Sequence, residues 1–306
     1  MLRQLILAAS RSPAVARTVA GSRATRGIVD RFVAGQTVDD AVRVARLLAA
    51  DGLSTSLDHL GEDVHDPAQA RAAADACVML VERLAAAGLT GRAEVSVKLS
   101  SLGQALDPAL ALEQAGRVCA AAAAAGTTVT VDMEDHTTTD GTLAAVAELR
   151  REWPWVGAVV QAQLRRSEAD CRELATAGSR VRLCKGAYRA PGDEGFLQRR
   201  DVDRSYVRCL RVLMEGHGYP MIATHDPALL RVADALVRRI GRERGSYEYQ
   251  MLYGVRPDEQ RKLSGRGETV RVYVPYGGEW YPYLMRRLAE RPANVAFFLR
   301  SLAGTS

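Results

Sequence analysis

Residues 93–103 read AEVSVKLSSLG, and this stretch decides the fold. Apolar and polar side chains alternate along it, which is typical of a β-strand because successive side chains point to opposite faces. Seven further runs with strand character flank it, separated by alanine-rich helical patterns. They are LSTSLDHLG (53–61), TTVTVDMED (127–135), GAVVQAQL (157–164), RVRLCKGAY (180–188), YPMIATHD (219–226), YEYQMLYG (247–254) and TVRVYVPYG (269–277).

Eight strands that alternate with helices over about 260 residues predict the α/β fold class, as a (β/α)8 TIM-like barrel. We expect the barrel to occupy residues 46–306, behind an N-terminal helical extension of residues 1–45. A doubly wound sheet is the alternative. No GxGxxG follows the first strand and no Walker A pattern occurs, so the barrel is favoured.

Composition narrows the class of protein. The 306 residues are 47% hydrophobic and 25% charged, and no apolar run approaches the roughly 20 residues of a membrane span. Five cysteines without CxxC spacing predict free thiols and no metal site. The net charge of +5 is spread along the chain without a recognition motif, so we expect no nucleic-acid partner. Residues 1–29 contain no acid and fit either a transit peptide or a basic helix.

Polar side chains collect where the predicted strands end. In a (β/α)8 barrel these C-terminal ends carry the active site. Only three of the 41 basic residues are lysines, and two of them, Lys98 and Lys185, lie at strand ends. The polar residues at these ends are Lys98, Asp132, Glu134, Asp135, His136, Gln161, Gln163, Arg182, Lys185, Thr224, His225, Asp226 and Tyr273.

The two lysines allow several chemical interpretations. Lys98 can clamp a carboxylate, form a Schiff base, or extend from the barrel mouth without a function. Lys185 precedes Gly186, which would let an anion or a flavin edge approach the backbone.

The run DMEDH (132–136) suggests a metal site, since it holds three carboxylates and a histidine. Strand alternation sends Asp132 and Glu134 to one side and Asp135 to the other, which weakens that interpretation. Salt bridges to Lys98 and Arg182 explain the acids at least as well. A histidine such as His225 is a candidate ligand or base, or a hydrogen-bonded structural residue.

A polar helix face follows the eighth strand. In YLMRRLAE (283–290), Tyr283, Arg286, Arg287 and Glu290 stand at i, i+3, i+4 and i+7, which is one face of a helix. Two adjacent guanidinium groups repel each other unless an anion lies between them. Arginine pairs also occur at 165–166 and 238–239, so the position after strand eight is what distinguishes this pair.

The motifs VKLS, VDMED, VVQAQL, RLCKGAY, ATHD and YLMRRLAE occur in this order, and together they resemble the proline dehydrogenase family over residues 45–305. The resemblance is to the monofunctional bacterial type. It implies oxidation of L-proline to Δ1-pyrroline-5-carboxylate by hydride transfer to FAD N5, the first step of proline catabolism to glutamate. It also implies a distorted barrel, with FAD at the strand C-termini and a final helix over the active site.

The resemblance assigns roles to matching positions. Asp132, as partner of the strand-two lysine, and Arg182, near the flavin N5, would be catalytic. The substrate carboxylate would lie among Lys98, Arg286 and Arg287. The proline ring would lie among Tyr273, Tyr283 and Leu252. Glu290 would orient the arginine pair beside the flavin. The positions expected to contact FAD are Met133, Gln161, Arg182, Lys185, Gly186, Ala187, Thr224, His225 and Glu290.

The resemblance also implies partners. Electrons would pass to a membrane quinone, so we expect a cytoplasmic protein peripherally bound to the anionic inner-membrane surface. Transient contact with a pyrroline-5-carboxylate dehydrogenase is a further expectation. The alternatives are another flavin barrel or a Schiff-base barrel enzyme that acts on a small carboxylate, and a non-catalytic polyanion-binding protein.

Overall fold

The computed structural model describes residues 23–61, 64–188 and 190–290, without the side chains of residues 23–26, 28, 286 and 288–290. Eight strands form a closed barrel in which each strand pairs in parallel with the next and β8 pairs with β1. The strands are β1 (Ser54–His59), β2 (Ala93–Val97), β3 (Val129–Val131), β4 (Gly157–Gln161), β5 (Arg180–Cys184), β6 (Tyr219–Ala223), β7 (Glu248–Leu252) and β8 (Val270–Tyr276).

Helices precede and separate the strands. In chain order they are α1 (Arg23–Phe32), α2 (Val38–Ala50), α3 (Pro67–Ala86), α4 (Pro108–Ala125), α5 (Thr139–Glu152), α6 (Ser167–Leu174), α7 (Arg199–Glu215), α8 (Pro227–Ile240), α9 (Pro257–Gly265) and α10 (Trp280–Glu290). The prediction of a (β/α)8 barrel is confirmed, and the doubly wound alternative is wrong because the sheet closes on itself.

Three of these helices begin with the same pair of residues, Asp-Pro. The carboxylates of Asp66, Asp107 and Asp226 accept hydrogen bonds at 2.8–3.0 Å from backbone N–H groups in the first turns of α3, α4 and α8. The proline occupies the first helical position, where its missing N–H costs no helical hydrogen bond. Local sequence therefore sets where these helices start after their strands.

The barrel interior is ionic at the end away from the mouth. Glu94 on β2 lies 2.7 Å from Arg180, 3.4 Å from Arg182 and 3.7 Å from Arg271, and Glu248 lies 2.7 Å from Arg271. Burial raises the pKa of a carboxyl group, but the three guanidinium groups hold the pKa of Glu94 well below its usual range. The apolar core instead lies between the outer faces of the strands and the helices, where Val95, Leu183 and Leu210 are buried.

Residues 31–35, at the end of α1 and just after it, contact the chain at the C-terminal ends of β7 and β8. The N–H of Ala34 donates to the carbonyl of Pro275 at 2.9 Å, and the N–H of Gly277 donates to the carbonyl of Gly35 at 3.0 Å. Gly254 has a φ of 71°, and a Cβ there would lie 1.8 Å from the carbonyl oxygen of Arg31. Only glycine allows this approach.

Helix α10 packs against the same segment through an apolar cluster separate from the main core. The buried members of the cluster are Phe32, Val33, Leu60, Trp280, Tyr281, Tyr283, Leu284 and Met285. Helix α2 runs through residue 45 without a break and contacts β1 and β8. The division of the chain at residues 45 and 46 therefore stays a prediction.

The ionic interior generates a stability prediction. Replacing Glu94 by Gln removes the carboxylate that Arg180, Arg182 and Arg271 share, and we expect a loss of about 3–5 kcal/mol in the free energy of unfolding. Because its folded pKa is lowered, Glu94 stabilises the fold above about pH 4 and loses this effect as the pH falls further. Denaturant unfolding of the wild type and the variant at several pH values measures both effects.

The matched control is Asp75→Asn, which removes the carboxylate of an exposed ion pair with Arg117. Exposed pairs contribute about 0–1 kcal/mol, so this variant should be close to wild type. Equal effects of Glu94→Gln and Asp75→Asn would contradict a stabilising role for the ionic interior.

Candidate active site

A cavity of about 540 Å³ lies at the C-terminal mouth of the barrel. This volume is within the usual range for small-molecule sites, about 300–1,000 Å³. Its wall combines charged groups with apolar and aromatic side chains from the strand ends, the loops behind them and α10. The lining residues are Asp58, Lys98, Asp132, Met133, Val159, Arg182, Cys184, Lys185, Gly186, Ala187, Tyr188, Arg199, Ala223, Thr224, His225, Asp226, Pro227, Gln250, Met251, Leu252, Tyr273, Tyr283 and Arg287.

Lys98 follows β2 in the same phase as Glu94 and Ser96, so its side chain belongs to the interior set of the barrel. Its Nζ lies 2.6 Å from each carboxylate oxygen of Asp58 at the end of β1. The next acceptors are the hydroxyl of Tyr273 at 3.4 Å and Oδ2 of Asp132 at 3.8 Å. The expectation that Asp132 partners this lysine is therefore refined, because Asp58 is the closer partner.

Asp132 connects the mouth to the centre of the barrel. Its Oδ1 accepts a hydrogen bond from Nη1 of Arg182 at 2.5 Å, and its Oδ2 accepts one from the hydroxyl of Tyr273 at 2.7 Å. The Arg182 guanidinium carbon lies 5.3 Å from the centre of the Tyr273 ring. Both carboxylate oxygens are thus used to hold side chains from β5 and β8.

Arg182 is held from all sides. Its five N–H groups have five acceptors, so its orientation is set by the barrel. These acceptors are Gln250 at 2.6 Å, Asp132 at 2.5 Å, Ser96 and Ser56 at 3.0 Å each, and Glu94 at 3.4 Å.

Burial and charge oppose each other at this mouth. Burial alone would lower the pKa of Lys98, but Asp58 and Asp132 raise that pKa above its ordinary value. Burial raises the pKa of Asp58, an effect that Lys98 partly offsets. Burial, together with the charges of Asp132 and Asp58, raises the pKa of Tyr273 well above its usual value. At neutral pH the lysine is therefore an ammonium group and the tyrosine carries its proton.

A second cation lies at the rim. Nζ of Lys185 is 2.5 Å from Asp203 and 2.9 Å from Asp226, and Arg199 lies 3.2 Å from Asp226. Burial opposes the ionisation of Asp226, but hydrogen bonds from Lys185 and from the N–H of Ala228 lower its pKa to about 2. Two cations and two carboxylates thus balance at the rim.

His225 is fixed by backbone groups. Its Nε2 accepts a hydrogen bond of 2.7 Å from the N–H of Leu252, and its own carbonyl accepts one of 2.7 Å from Nη1 of Arg256. Arg256 is the one non-glycine residue in the described part of the chain with a positive φ, 53°. These bonds hold the loop after β7 against the end of β6.

The loop after β5 depends on a glycine. Gly186 has a φ of 106°, and a Cβ there would lie 2.4 Å from the side chain of Gln163. The Gln163 amide in turn donates to the carbonyl of Tyr188 at 2.6 Å. Gln161 donates to the carbonyl of Glu134 at 2.6 Å and is absent from the cavity wall, and its expected contact with a cofactor stays a prediction.

The predicted helix at 283–290 is present as the second part of α10. Tyr283 and Arg287, one turn apart, line the cavity, and the guanidinium carbon of Arg287 lies 5.3 Å from the Tyr283 ring centre. The side chains of Arg286 and Glu290 lie outside the described residues, so their assigned positions stay predictions.

Most of the residues singled out from sequence come together in this cavity, although their roles stay predictions. The ones in its wall are Lys98, Asp132, Met133, Arg182, Lys185, Gly186, Ala187, Thr224, His225, Asp226, Leu252, Tyr273, Tyr283 and Arg287. Asp58 and Gln250 were missed. An acid at the end of the first strand, in LSTSLDHLG, is the same signal that pointed to Asp132 at the end of the third. Gln250 lies inside its strand and gives no such signal.

The fold has solved relatives. The crystal structure of proline utilization A (PutA) from Bdellovibrio bacteriovorus inactivated by N-propargylglycine aligns with a TM-score of 0.81 and 23% sequence identity. The alignment covers 87% of this chain and 33% of that chain, so this chain spans a third of that protein's length. At this identity the likeness shows the shared barrel fold.

Sequence relatives match more closely. The family model of proline dehydrogenase matches residues 41–300. Proline dehydrogenase 1 of Bacillus subtilis (strain 168) is 34% identical over 302 residues, or 99% of each chain. Proline dehydrogenase of Deinococcus radiodurans is 38% identical over 280 residues, or 90% of each chain. These matches, together with the closed barrel and its charged mouth, show that the chain belongs to the proline dehydrogenase family of oxidoreductases.

Proposed function

We propose that this chain oxidises L-proline to Δ1-pyrroline-5-carboxylate with FAD bound at the barrel mouth, and passes the electrons to a membrane quinone. The observation that carries the proposal is that Lys98 from β2 and Arg287 from α10 line one cavity together with two tyrosine rings. Two cations that can bind one α-carboxylate, in a cavity that also offers aromatic surface, fit a small cyclic amino acid.

The proposed substrate site uses Lys98 and Arg287 for the carboxylate. Tyr273, Tyr283 and Leu252 supply the surface for the three methylene groups of the ring. Arg286 is assigned to the same carboxylate. Holding a small substrate by its carboxylate on two sides fixes the position of C5. Such orientation can lower the activation free energy of a reaction by up to ~7–11 kcal/mol.

The rest of the wall suits a flavin. Met133, Val159 and Ala187 offer apolar surface for a flat ring, and Lys185 adds a cation to the wall. Gly186, Thr224 and His225 are assigned to the same cofactor. Bound there, FAD would supply the hydride acceptor that amino-acid side chains lack. Gln161 and Glu290 keep their assignment as expectations from family resemblance.

Arg182 contributes a fixed positive charge on the inner side of the cavity. Its five acceptors hold the guanidinium group before a ligand binds, so it needs no reorganisation during the reaction. A preorganised cation of this kind favours negative charge that develops beside it. Asp132 fixes that cation and orients Tyr273 toward the substrate site.

A Schiff-base mechanism receives less support from the site. A lysine nucleophile at neutral pH needs a lowered pKa, whereas Asp58 and Asp132 raise the pKa of Lys98. Nζ of Lys185 is already engaged by two carboxylates, those of Asp203 and Asp226. The polyanion-binding alternative gives no reason for a cavity with a buried lysine.

The electron acceptor and the location are proposed from the resemblance. Within the described part of the chain, no helix combines the length and apolarity needed to cross a bilayer. We place the protein at the inner surface of the cytoplasmic membrane, held by its positive charge, where a quinone is accessible. Transient contact with a pyrroline-5-carboxylate dehydrogenase, which would consume the product, stays a prediction.

Reduction by proline tests the proposed reaction. The purified protein should be yellow, and under anaerobic conditions L-proline should bleach its flavin absorption bands, because the proposed oxidation would move the two electrons of the C5–H bond to the cofactor as a hydride. Pyrrolidine, which lacks the carboxylate, is the control and should bleach the bands far more slowly. Flavin bands that L-proline leaves unchanged would overturn the proposed function.

The variant Arg287→Met tests the proposed role of α10 in substrate binding. Loss of a charge-assisted contact to the carboxylate, worth about 1.5–3 kcal/mol, should raise the KM for proline about 10–100-fold. Flavin content should stay near the wild-type level. Steady-state kinetics and the visible spectrum provide the two measurements.

Arg239→Met is the matched control, since Arg239 belongs to an exposed arginine pair on α8. It should leave KM unchanged. If Arg287→Met instead loses flavin and keeps the wild-type KM, α10 binds the cofactor and the substrate assignment is wrong.

Peripheral membrane binding is tested with lipid vesicles. At low salt the protein should sediment with anionic vesicles, because each basic residue near the surface contributes about 1 kcal/mol, and added salt should release it. Zwitterionic vesicles are the control and should not bind it. No sedimentation with anionic vesicles at low salt would contradict this location.

A further inference from the structure

The inference concerns Asp58, at the C-terminal end of β1. It pairs in register with Ser96 on β2 and Pro275 on β8, so it lies next to the strand that leads into Lys98. It is 2% exposed and lines the cavity. None of the roles assigned from family resemblance includes this residue.

Asp58 is the principal acceptor of the Lys98 ammonium group. Both of its oxygens lie 2.6 Å from Nζ, which is the short distance expected of a charge-assisted bond. The hydroxyl of Tyr273 is 0.8 Å farther away, at 3.4 Å. A lysine side chain has four rotatable bonds, so this bidentate contact is what holds Nζ on the β1 side of the mouth.

Asp132 is not placed to do the same. Its nearer oxygen is 3.8 Å from Nζ. One of its oxygens already accepts from Arg182 at 2.5 Å and the other from Tyr273 at 2.7 Å. Moving it toward Lys98 would break contacts to two buried side chains.

The charges around Lys98 come from several elements. The ammonium group of Lys98 interacts with Asp58 on β1, with Asp132 and Glu134 after β3, and with Tyr273 on β8. The charge of Lys98 also acts on His59 and Cys77. Arg182 lies on the far side of Asp132, and Arg287 lines the same cavity. Lys98 is 8% exposed, so protein groups rather than water decide its protonation.

We propose that Asp58 is a positioning residue for substrate binding, which holds Nζ of Lys98 at the cavity wall and keeps it protonated for the substrate carboxylate. The proposal deepens the proposed function and rests on it for the identity of that carboxylate. Asp58 acts through Lys98, and its own oxygens are turned to the lysine. Its removal therefore affects the binding of substrate and its dependence on pH more than the rate of the bound complex.

The kinetic test is Asp58→Asn in the holoenzyme. Without the carboxylate, Lys98 loses its proton at a lower pH, so the KM for proline should rise with pH more steeply than in the wild type. The ratio of the two KM values cancels titration of the substrate amine. We expect this ratio to grow about tenfold between about pH 7 and about pH 9.5, while kcat changes far less.

Asp170→Asn is the matched control. Asp170 is a buried acid on α6 that pairs with Arg166 and is absent from the wall of the cavity. Its loss should lower the melting temperature without a pH-dependent change in the KM ratio. A flat KM ratio for Asp58→Asn, like that of Asp170→Asn, would overturn the proposal.

A double variant separates action through Lys98 from a direct effect. In a Lys98→Met background, Asp58→Asn should change KM by less than about twofold, since the group it positions is gone. It should also raise the melting temperature, because it removes a buried carboxylate that lacks a counter-ion. An equal change in KM in both backgrounds would show that Asp58 acts by itself.

Chemical labelling gives a readout that does not depend on activity. The chain has only three lysines, so trace acetylation followed by peptide mass spectrometry reports each one, with the exposed Lys262 as internal standard. We expect Asp58→Asn to raise the labelling of Lys98 relative to Lys262 about tenfold, and to leave Lys185 unchanged.

The outcomes distinguish the two proposals. If the wild type fails to oxidise proline but the labelling of Lys98 responds to Asp58→Asn, the proposed function is wrong and the action of Asp58 on Lys98 stands. If the wild type oxidises proline and neither the labelling nor the KM ratio responds, the proposal for Asp58 alone is wrong.

Discussion

The structure depends on the pairing of charges inside the barrel. Glu94 and Glu248 lie among Arg180, Arg182 and Arg271, in an interior that many barrels fill with branched apolar side chains. A buried charge without a partner is strongly unfavourable, so each of these residues restricts the positions of the others. Arg182 belongs both to this network and to the cavity, and through it the interior sets the geometry of the mouth.

Charged side chains are also paired at the mouth of the barrel, where fewer of them are involved. Lys98 and Arg182 are balanced by Asp58 and Asp132, and Lys185 and Arg199 by Asp203 and Asp226. A site that is close to neutral and full of fixed dipoles suits a small zwitterion, which brings one charge of each sign. Arg287 adds a positive charge from outside the barrel, and this asymmetry favours a carboxylate at that end of the cavity.

The helix that carries Arg287 is held by different forces. It contacts residues before β1 through an apolar cluster that includes Phe32, Val33 and Leu284, apart from the barrel core. The backbone of residues 34 and 35 pairs with the end of β8, which anchors that cluster to the mouth. The wall of the cavity thus joins an ionic barrel to a helix that is positioned by hydrophobic packing from the N-terminal side of the chain.

The sequence by itself determined the number and order of the strands, because period-two patterns and Asp-Pro helix starts act over a few neighbouring residues. It also placed Lys98, Asp132, Arg182 and Lys185 at strand ends, where a barrel brings them together. Tertiary structure decided which of them are partners. Asp58 lies closer to Lys98 than Asp132 does, and the amide of Gln161 donates to the carbonyl of Glu134. Such choices depend on differences of about 1 Å in the distances between side chains on separate strands, and strand periodicity does not encode these differences.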